Sequence, residues 1–276
     1  MKAFENKMKI TSPTNQKIKD LVKLRDHRSR VRAGLTIIDG IREVRRAVSA
    51  GVALKEIFIC PELYEGQAKG NVEEGILKPL LAKKVLVCEV TREVFEKICF
   101  GDRAEGVLAL GQPAAAKFSG LKVTKNSLFM ITESIEKPGN LGAILRTCDA
   151  AGISAVFTSD PKTDIFNPNV IRASMGTVFL VPVVPGTTEE ILDFLRKAQV
   201  RIVAATPSAN KGYTSADFRG ATAIAIGSET AGLSDFWLKA ADDKVFIPMK
   251  GQADSLNTSV AAALMAYEAL RQRQGG

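Results

Sequence analysis

Three separated segments in the second half of the chain share one pattern, in which an apolar run leads into a turn containing Gly or Ser and then into a helix. They are residues 135–152 (IEKPGNLGAILRTCDAAG), 224–233 (IAIGSETAGL) and 247–263 (IPMKGQADSLNTSVAAA). The first N–H groups of a helix have no partner within the helix, so each turn can bind a polar ligand. None of the three matches a Walker loop, a zinc cluster or a hydrolase triad, so no metal site is expected.

Apolar runs alternate with segments of helical spacing along the chain, which predicts an α/β fold. A first helix is expected between Ser12 and Gly34. The predicted strands are residues 35–38, 54–60, 85–90, 107–110, 128–132, 155–158, 178–184, 201–205, 221–226 and 244–247, and the other predicted helices are 41–50, 76–82, 92–99, 141–151, 168–174, 188–198, 233–240 and 255–273. The later runs are apolar throughout, which favours a parallel sheet covered on both faces.

Residues 111–122 are rich in Ala, Gly and Pro and show no sustained periodicity, which indicates a linker. The sequence therefore predicts a small N-terminal α/β domain over residues 1–110 and a C-terminal parallel-sheet domain over residues 123–276.

The basic charge of the chain is concentrated at its N-terminal end. The net charge is +8, and residues 1–32 contain ten Lys and Arg against three acidic residues, so +7 of it lies there. Arg25, Arg28 and Arg32 fall at helical spacing, so one face would present guanidinium groups. Such a surface suits a polyphosphate backbone. The alternative is a basic helix face that contacts only solvent.

No segment predicts membrane insertion or secretion. The first ten residues are rich in lysine and lack the apolar stretch of a signal peptide, and no apolar run approaches the roughly 20 residues needed to cross a bilayer. The four cysteines contain no CxxC pair, which is typical of reduced thiols in a cytosolic protein. We therefore expect a cytoplasmic protein without a membrane partner. No catalytic role is expected for His27, the single histidine.

Each segment also has a structural explanation. Arg146 follows Asn140 by six residues, and an arginine on the buried side of a helix needs an anion, either a substrate or an acidic residue of the protein. Glu229 lies in a turn after a strand, where it could contact a ligand or cap the next helix. Ser255 and Asn257 open the last helix with polar groups that suit a bound ligand, whereas the small residues after them suit tight packing.

In this order and spacing, the three segments resemble the signature motifs of the SpoU (TrmH) branch of the SPOUT methyltransferases, over residues of about 130–273. A fourth stretch, residues 167–176 (NPNVIRASMG), is similar to one that these proteins commonly carry. The resemblance implies transfer of a methyl group from S-adenosylmethionine to a ribose 2′-hydroxyl of RNA. It also implies a C-terminal trefoil knot and a homodimer.

The resemblance assigns roles to residues of this chain. The catalytic group would comprise Arg146, Asn140, Glu229, Ser255 and Asn257. The cofactor would be held by backbone around Ala205, Thr206, Gly227, Ile247, Met249 and Leu256. Thr258 replaces the more common valine, and residues 230–231 also differ mildly from the usual choices.

The first 110 residues resemble, more weakly, the substrate-binding domain of members that act on ribosomal RNA. Residues 25–32 and 34–41 (GLTIIDGI) carry this match. The expected RNA contacts are Arg25, Arg28, Arg30, Arg32 and Arg172. Ribosomal RNA is therefore the favoured substrate, with transfer RNA as the alternative.

Arg146 could act in two ways. The family mechanism proposes it as the base for the hydroxyl, but an arginine pKa of about 12.5–13.8 makes a neutral arginine costly. A charged Arg146 that holds a phosphate and stabilises the developing alkoxide is electrostatically easier. Two rival functions remain: a catalytically silent RNA-binding or ribosome-assembly factor, and a nucleotide-phosphate enzyme that uses the turns as anion sites.

Overall fold

The computed structural model describes residues 7–64, 69–101 and 104–274. Lys2 and Glu5, which belong to the basic segment, lie outside these residues. The contacts of the chain divide it into two compact units. Unit 1 comprises residues 1–114 and 166–180, and unit 2 comprises residues 115–165 and 181–276. Residues 166–180 therefore group with the N-terminal part, whereas the predicted division at 111–122 placed them in the C-terminal domain.

Unit 1 contains a five-stranded mixed sheet in the order β1-β4-β3-β5-β2. Its strands are β1 (Lys7–Ile10), β2 (Thr36–Asp39), β3 (Ala53–Ile59), β4 (Leu86–Val90) and β5 (Val107–Gln112). The pairs of β4 with β1 and β3 are parallel, whereas β5 runs antiparallel to both β2 and β3. The N-terminal part is thus an α/β fold, as predicted, with an additional edge strand, β1.

Helices cover the sheet of unit 1. They are α1 (Gln16–Lys23), α2 (His27–Ala33), α3 (Ile41–Ser49), α4 (Pro61–Tyr64), α5 (Lys69–Val72), α6 (Lys78–Ala82), α7 (Arg92–Ile98) and α9 (Pro168–Ala173), with a π-helical turn at Glu73–Leu77 and a 3₁₀ turn at Thr177–Phe179. Ile18, Leu21 and Phe95 pack against Phe58 in a fully buried core. Helix α9 lies against β2 and brings Arg172 into this unit.

The single helix predicted between Ser12 and Gly34 is wrong, because the chain forms two helices there. Helix α1 ends at Lys23, with Leu24 as its C-cap, and the Asp26 side chain accepts a hydrogen bond from the N–H of Ser29 at 2.8 Å, which caps the start of α2. Asp is among the strongest N-cap residues, so it starts a new helix in a sequence whose periodicity would continue the old one. Gly34 ends α2 in the left-handed conformation, at φ 61°.

Unit 2 is built on a seven-stranded sheet in the order β10-β12-β9-β11-β6-β7-β8. Its strands are β6 (Leu128–Glu133), β7 (Ala155–Ser159), β8 (Val183–Gly186), β9 (Arg201–Ala205), β10 (Lys211–Gly212), β11 (Thr222–Ile226) and β12 (Asp243–Phe246). All of these pairings are parallel. Every residue of β6, β7 and β11 is buried, which confirms the predicted parallel sheet.

The helices of unit 2 lie on both faces of its sheet. They are α8 (Pro138–Ala150), α10 (Thr188–Lys197), α11 (Asp235–Ala240) and α12 (Thr258–Gln274), with 3₁₀ turns at Phe118–Gly120 and Tyr213–Ser215. Helices α8 and α12 pack against each other, while Trp237 of α11 and Leu195 of α10 pack into a core with Phe157. No helix in the described part of the chain is both long and apolar enough to span a bilayer.

The predicted strand over residues 178–184 is shorter than expected. Gly176 adopts a left-handed conformation at φ 80°, a 3₁₀ turn follows, and β8 begins only at Val183. Pro182, directly before β8, has no N–H to give to a neighbouring strand. The apolar run therefore serves as a turn in its first half and as a strand in its second.

Arg273 holds the last turn of α12 in place. Its guanidinium donates to the carbonyl oxygens of Phe218 at 2.8 Å, Asn126 at 2.5 Å and Gly220 at 2.6 Å. One side chain thus bonds the loops before β6 and β11, two adjacent strands of the sheet. The helix whose first turn follows Asn257 is in this way fixed at its other end.

Candidate active site

A cavity of about 430 Å³ lies beyond the carboxyl ends of β9, β11 and β12. It is lined by Ala205, Thr206, Pro207, Ile226, Gly227, Ser228, Glu229, Thr230, Ala231, Gly232, Leu233, Leu238, Ile247, Met249, Asp254, Ser255, Leu256, Thr258 and Ala261. In parallel sheets, ligands bind at this edge, where loops leave the strands. Two of the three sequence segments, 224–233 and 247–263, supply most of the wall.

All six residues predicted to surround a cofactor line this cavity: Ala205, Thr206, Gly227, Ile247, Met249 and Leu256. Sequence reasoning missed other lining residues, among them Leu238 and Asp254. Leu238 has the helical spacing of an ordinary core residue, which gives no signal for a site. Asp254 directly precedes Ser255, and that position was the only available signal.

Gly227 is the tightest point of the cavity wall. A Cβ atom at this position would overlap the backbone of Gly232 and the N of Leu233. The loop closes through reciprocal backbone hydrogen bonds of 3.1 Å between Ser228 and Gly232. The buried hydroxyl of Thr258 donates to the carbonyl of Gly227 at 2.9 Å, which joins the start of α12 to this loop. Only glycine fits at position 227 with this backbone path.

Polar side chains from all three segments form one hydrogen-bonded chain. The Asn140 amide donates to a carboxylate oxygen of Glu229, and the Asn257 amide donates to Oδ1 of Asn140 at 3.1 Å. The N–H of Glu136 donates to the other oxygen of Glu229 at 3.4 Å. Because a carboxylate only accepts, Glu229 fixes the orientation of both amides. The predicted catalytic residues Asn140, Glu229 and Asn257 are therefore brought together, and Ser255 lies in the same cavity wall as Glu229.

Arg146 stands apart from this chain of hydrogen bonds. It is exposed on α8, it does not line the cavity, and it forms no hydrogen bond or ion pair with any residue that the structure describes. The expectation of an arginine on the buried side of the helix is wrong. A guanidinium without an acidic partner remains available to an external anion such as a phosphate.

Glu229 is ionised at neutral pH. Partial burial raises the pKa of its carboxyl, but the hydrogen bonds from Asn140 and from the N–H groups of residues 229, 136 and 137 outweigh that effect and leave the pKa below its ordinary value. A carboxylate with a lowered pKa stabilises the fold at pH values above its unfolded-state pKa of about 4.3. This stabilisation is lost as the pH falls through the lower pKa of the folded state.

Glu229→Gln is therefore expected to lower the free energy of unfolding at pH 7 by about 1 kcal/mol, because the hydrogen bond from Asn140 loses its charged carboxylate acceptor. The difference from the wild type should shrink as the pH falls below about 4, where the carboxyl of the wild type becomes protonated. Urea unfolding at several pH values measures both effects. Glu189→Gln, at an exposed position of α10, is the matched control and should show neither. A difference that does not depend on pH would contradict this account.

The predicted RNA contacts on the first helices differ in their surroundings. Arg28 and Arg32 are exposed one turn apart on α2. Arg25 lies between α1 and α2, and its guanidinium donates to the carbonyls of Lys97 at 2.9 Å and Cys99 at 2.8 Å. Arg30 is only 5% exposed and donates to the carbonyls of Leu24 and Arg25, so the predicted RNA contact of Arg30 is wrong. The break at Asp26 shifts the helical phase, and the shift turns Arg30 inward.

Arg172 forms an ion pair inside unit 1. Its guanidinium lies 3.2 Å from Oδ2 of Asp39, a carboxyl that is only 1% exposed and that also accepts from the N–H groups of Phe100 and Gly101. Burial raises the pKa of Asp39, while these hydrogen bonds and the charge of Arg172 act against the rise. A Cβ on Gly101 would overlap the guanidinium. Arg172 therefore has a structural role in unit 1, and its predicted RNA contact stays a prediction.

Arg172→Ala is expected to lower the free energy of unfolding by about 3 kcal/mol, because it leaves the buried carboxylate of Asp39 without its cation. Thermal unfolding of the full chain measures this loss. Arg32→Ala, which removes an exposed arginine of the same unit, should change stability by less than about 0.5 kcal/mol. Equal effects of the two substitutions would show that the ion pair with Asp39 contributes nothing.

No group of three or more His, Cys, Asp or Glu side chains that could hold a metal ion occurs within residues 7–64, 69–101 and 104–274. The four cysteines are free, and three of them, Cys60, Cys88 and Cys148, are buried. Burial and the neighbouring Glu56 carboxylate raise the pKa of Cys88 to about 12, so this thiol stays protonated at neutral pH.

Both parts of the chain match known protein families. Residues 127–267 match the SpoU rRNA Methylase family, and residues 15–109 match the MRM3-like substrate binding domain. The first match contains all five predicted catalytic residues, and the second runs from α1 to the first half of β5.

Two curated relatives are similar along nearly their whole length. One is the 23S rRNA (guanosine(2553)-2′-O)-methyltransferase RlmP of Bacillus subtilis, which is 28% identical over 94% of this chain and 97% of its own length. The other is the 23S rRNA (uridine(2479)-2′-O)-methyltransferase of Streptomyces viridochromogenes, which is 30% identical over 92% of this chain and 88% of its own. These two relatives are named for different nucleotides.

A solved structure extends the comparison to the fold. The AdoMet-bound rRNA methyltransferase of Sinorhizobium meliloti superposes with a TM-score of 0.87 and 28% sequence identity, over 96% of this chain and 98% of that one. The similarity therefore includes both units and a protein described with its cofactor.

Proposed function

The chain belongs to the SpoU rRNA methylase family, and we propose that it transfers a methyl group from S-adenosylmethionine to a ribose 2′-hydroxyl of ribosomal RNA. The observation that carries this proposal is the cavity lined by the second and third family motifs, where Asn140 of the first motif is hydrogen-bonded to Glu229 and to Asn257. The MRM3-like domain and the 23S rRNA named in both relatives support ribosomal RNA as the substrate.

The cavity suits S-adenosylmethionine. Its volume of about 430 Å³ lies within the usual range of about 300–1,000 Å³ for small-molecule sites. Apolar side chains such as Ile226, Ile247 and Leu256 can cover an adenine and a thioalkyl chain, while the loop backbone offers hydrogen bonds. Among the described lining residues there is no Lys or Arg, which argues against the rival nucleotide-phosphate enzyme.

In the proposed reaction the cofactor supplies an electrophilic methyl group, and the protein aligns and activates a weak nucleophile. The loops after β9, β11 and β12 hold the cofactor, and Glu229 keeps the amides of Asn140 and Asn257 in one orientation. We assign Arg146 the charged role, in which its guanidinium holds the phosphate next to the reacting ribose and stabilises negative charge on the 2′-oxygen. Alignment of the oxygen with the methyl carbon contributes several kcal/mol more.

Unit 1 would bind the RNA substrate through the exposed Arg28 and Arg32 of α2. Each neutralised phosphate releases counterions, so the affinity for RNA should fall steeply as the salt concentration rises. Because ribosomal RNA is the proposed substrate, we propose that the protein acts in the cytoplasm.

The homodimer that the family resemblance implies is supported by a stripe of exposed apolar side chains on α12. Val260, Leu264 and Tyr267 recur at intervals of four and three residues and are 46%, 36% and 50% exposed. These positions share one face of the helix, opposite its buried residues Ala262 and Ala269. An apolar helix face of this size is a candidate for burial against a second copy.

Leu264→Asp is expected to convert a dimer into monomers, because it places a charge within the apolar stripe. Light scattering coupled to size-exclusion chromatography measures the molecular mass of the protein in solution, which distinguishes dimer from monomer. Phe236→Asp is the matched control, because Phe236 is 37% exposed on α11 and lies outside the stripe. A wild-type protein of 29.7 kDa at all concentrations would contradict the proposed dimer.

We further infer that the loops around the cavity form the trefoil knot implied by the resemblance. The hydrogen bond from Thr258 to the carbonyl of Gly227 supports it, because it holds the start of α12 against the loop after β11, 31 residues earlier in the chain. Pulling the chain from both ends in an optical trap tests this proposal. A knotted chain reaches a shorter extended length than an unknotted chain of 276 residues.

The proposed activity is tested with labelled S-adenosylmethionine and total RNA from a strain that lacks the protein, separated into large rRNA, small rRNA and tRNA. We expect label in one ribosomal RNA, at a single position that resists alkaline cleavage. Label found only in tRNA would show that transfer RNA, and not ribosomal RNA, is the substrate. Absence of label in free RNA and in ribosomal particles, with cofactor binding intact, would favour the silent RNA-binding factor.

A further inference from the structure

The charge of the cavity differs from that of the whole chain. Among the described residues that line it, Glu229 and Asp254 are acidic and none is Lys, Arg or His. The chain as a whole carries a net charge of +8. The cavity is therefore an acidic depression in a basic protein, and it favours a cationic ligand over a neutral ligand of the same shape.

The two carboxylates are not equivalent. Glu229 accepts hydrogen bonds from Asn140 and from the N–H of Glu136, so its charge is partly balanced by the protein. Asp254 is exposed and forms no hydrogen bond or ion pair with any described residue. It lies in the segment between β12 and α12, next to Ser255. Its charge is thus the one that remains for a bound ligand.

We propose that Asp254 is a specificity-determining residue, which makes the cavity prefer the charged methyl donor over the demethylated product. This inference rests on the proposed function. In the transfer, the bond between sulfur and the methyl carbon breaks while the ribose oxygen bonds to that carbon. The electron pair stays on the sulfur, which becomes a neutral thioether, and the hydroxyl proton leaves to solvent. Donor and product share every other charged group.

The preference for the donor has a consequence for turnover. Attraction between Asp254 and the ligand decreases in the same step that removes the positive charge from sulfur. The product is thus held less firmly than the donor, which favours its exchange for a new donor. Because Asp254 is exposed, water and salt weaken the interaction, and the effect is a several-fold preference rather than one of many orders of magnitude.

Isothermal titration calorimetry of the full chain with S-adenosylmethionine and S-adenosylhomocysteine tests the inference. Asp254→Asn removes the charge and keeps the shape, and we expect it to weaken binding of the donor about threefold while leaving the product unchanged. Asp254→Lys should weaken donor binding by about tenfold and the product much less. Asp235→Asn, at an exposed acid outside the cavity lining, should change neither affinity.

The outcomes separate the inference from the function on which it rests. Higher salt should reduce the wild-type preference for the donor and leave the ratio of the Asp254→Asn variant unaltered. Equal weakening of donor and product, or no change in either, overturns the role of Asp254 while the proposed function stands. If the wild type binds neither ligand, the proposed function itself fails. Unfolding temperatures of the variants, expected to match the wild type, show that each variant is folded.

Discussion

Arg146→Ala is expected to lower the rate of methyl transfer at least about 100-fold, because it removes the proposed stabilisation of the phosphate and of charge on the 2′-oxygen. The affinity for S-adenosylmethionine should stay within about twofold of the wild type, since Arg146 does not line the cavity. Single-turnover transfer of labelled methyl groups and calorimetric cofactor binding measure the two quantities separately. The unfolding temperature should not change, because this exposed side chain has no partner among the described residues.

Two further variants sharpen the result. Arg146→Lys keeps the charge but not the planar guanidinium, so we expect partial activity if the charge itself matters. Arg219→Ala removes another exposed arginine of unit 2, whose partner is Asp217, and should leave the rate unchanged. A large loss of cofactor affinity in Arg146→Ala would overturn the assignment, because it would place Arg146 in the cofactor site.

Gly227→Ala is expected to abolish cofactor binding and to destabilise unit 2 by about 3 kcal/mol or more. The added methyl group would overlap the backbone of Gly232 and Leu233, and backbone held by the bonds between Ser228 and Gly232 cannot move away cheaply. The hydrogen bond from Thr258 to the Gly227 carbonyl would be displaced as well. Chemical unfolding and calorimetric titration with S-adenosylmethionine measure the two losses.

Gly212→Ala is the matched control, because a Cβ there meets nothing within 4 Å. It should bind the cofactor normally and should not lower stability, since alanine restricts the unfolded chain more than glycine does. If Gly227→Ala behaved like Gly212→Ala, the loop after β11 would have more freedom than its contacts indicate.

The parallel sheet of unit 2 could be predicted because its strands are apolar on both faces. Apolar runs of this kind can be recognised in the sequence without any knowledge of contacts. The turns at Gly227 and before Ser255 were recognisable for a similar reason, since glycine and small polar residues mark helix starts. Their convergence on one cavity with Ala205 depends on strand order, which pattern alone does not give. The catalytic roles of Arg146 and Asn140 stay predictions.

The errors have a common cause. Periodicity predicted one helix through Asp26, but a single capping hydrogen bond, donated by the N–H of Ser29 to the Asp26 carboxylate, starts a new helix with a shifted phase. That shift buries Arg30 against carbonyls and takes Arg25 out of line with Arg28. Likewise, the sequence shows the charge of Arg172 but not Asp39, which lies 133 residues earlier. Rules based on local sequence cannot identify partners that lie so far apart in the chain.

The two units are interleaved along the chain, and this affects synthesis. Asp39 belongs to the first part of unit 1, but its cation arrives with residues 166–180, after β6, α8 and β7 of unit 2 have left the ribosome. The pairing of β6 with β11 in unit 2 also forms late, since Leu128 of β6 pairs with Thr222 of β11, which is synthesised much later. Neither unit can finish folding from its N-terminal portion alone, so high contact order slows the process. A fragment ending at residue 114 would therefore be a poor surrogate for unit 1.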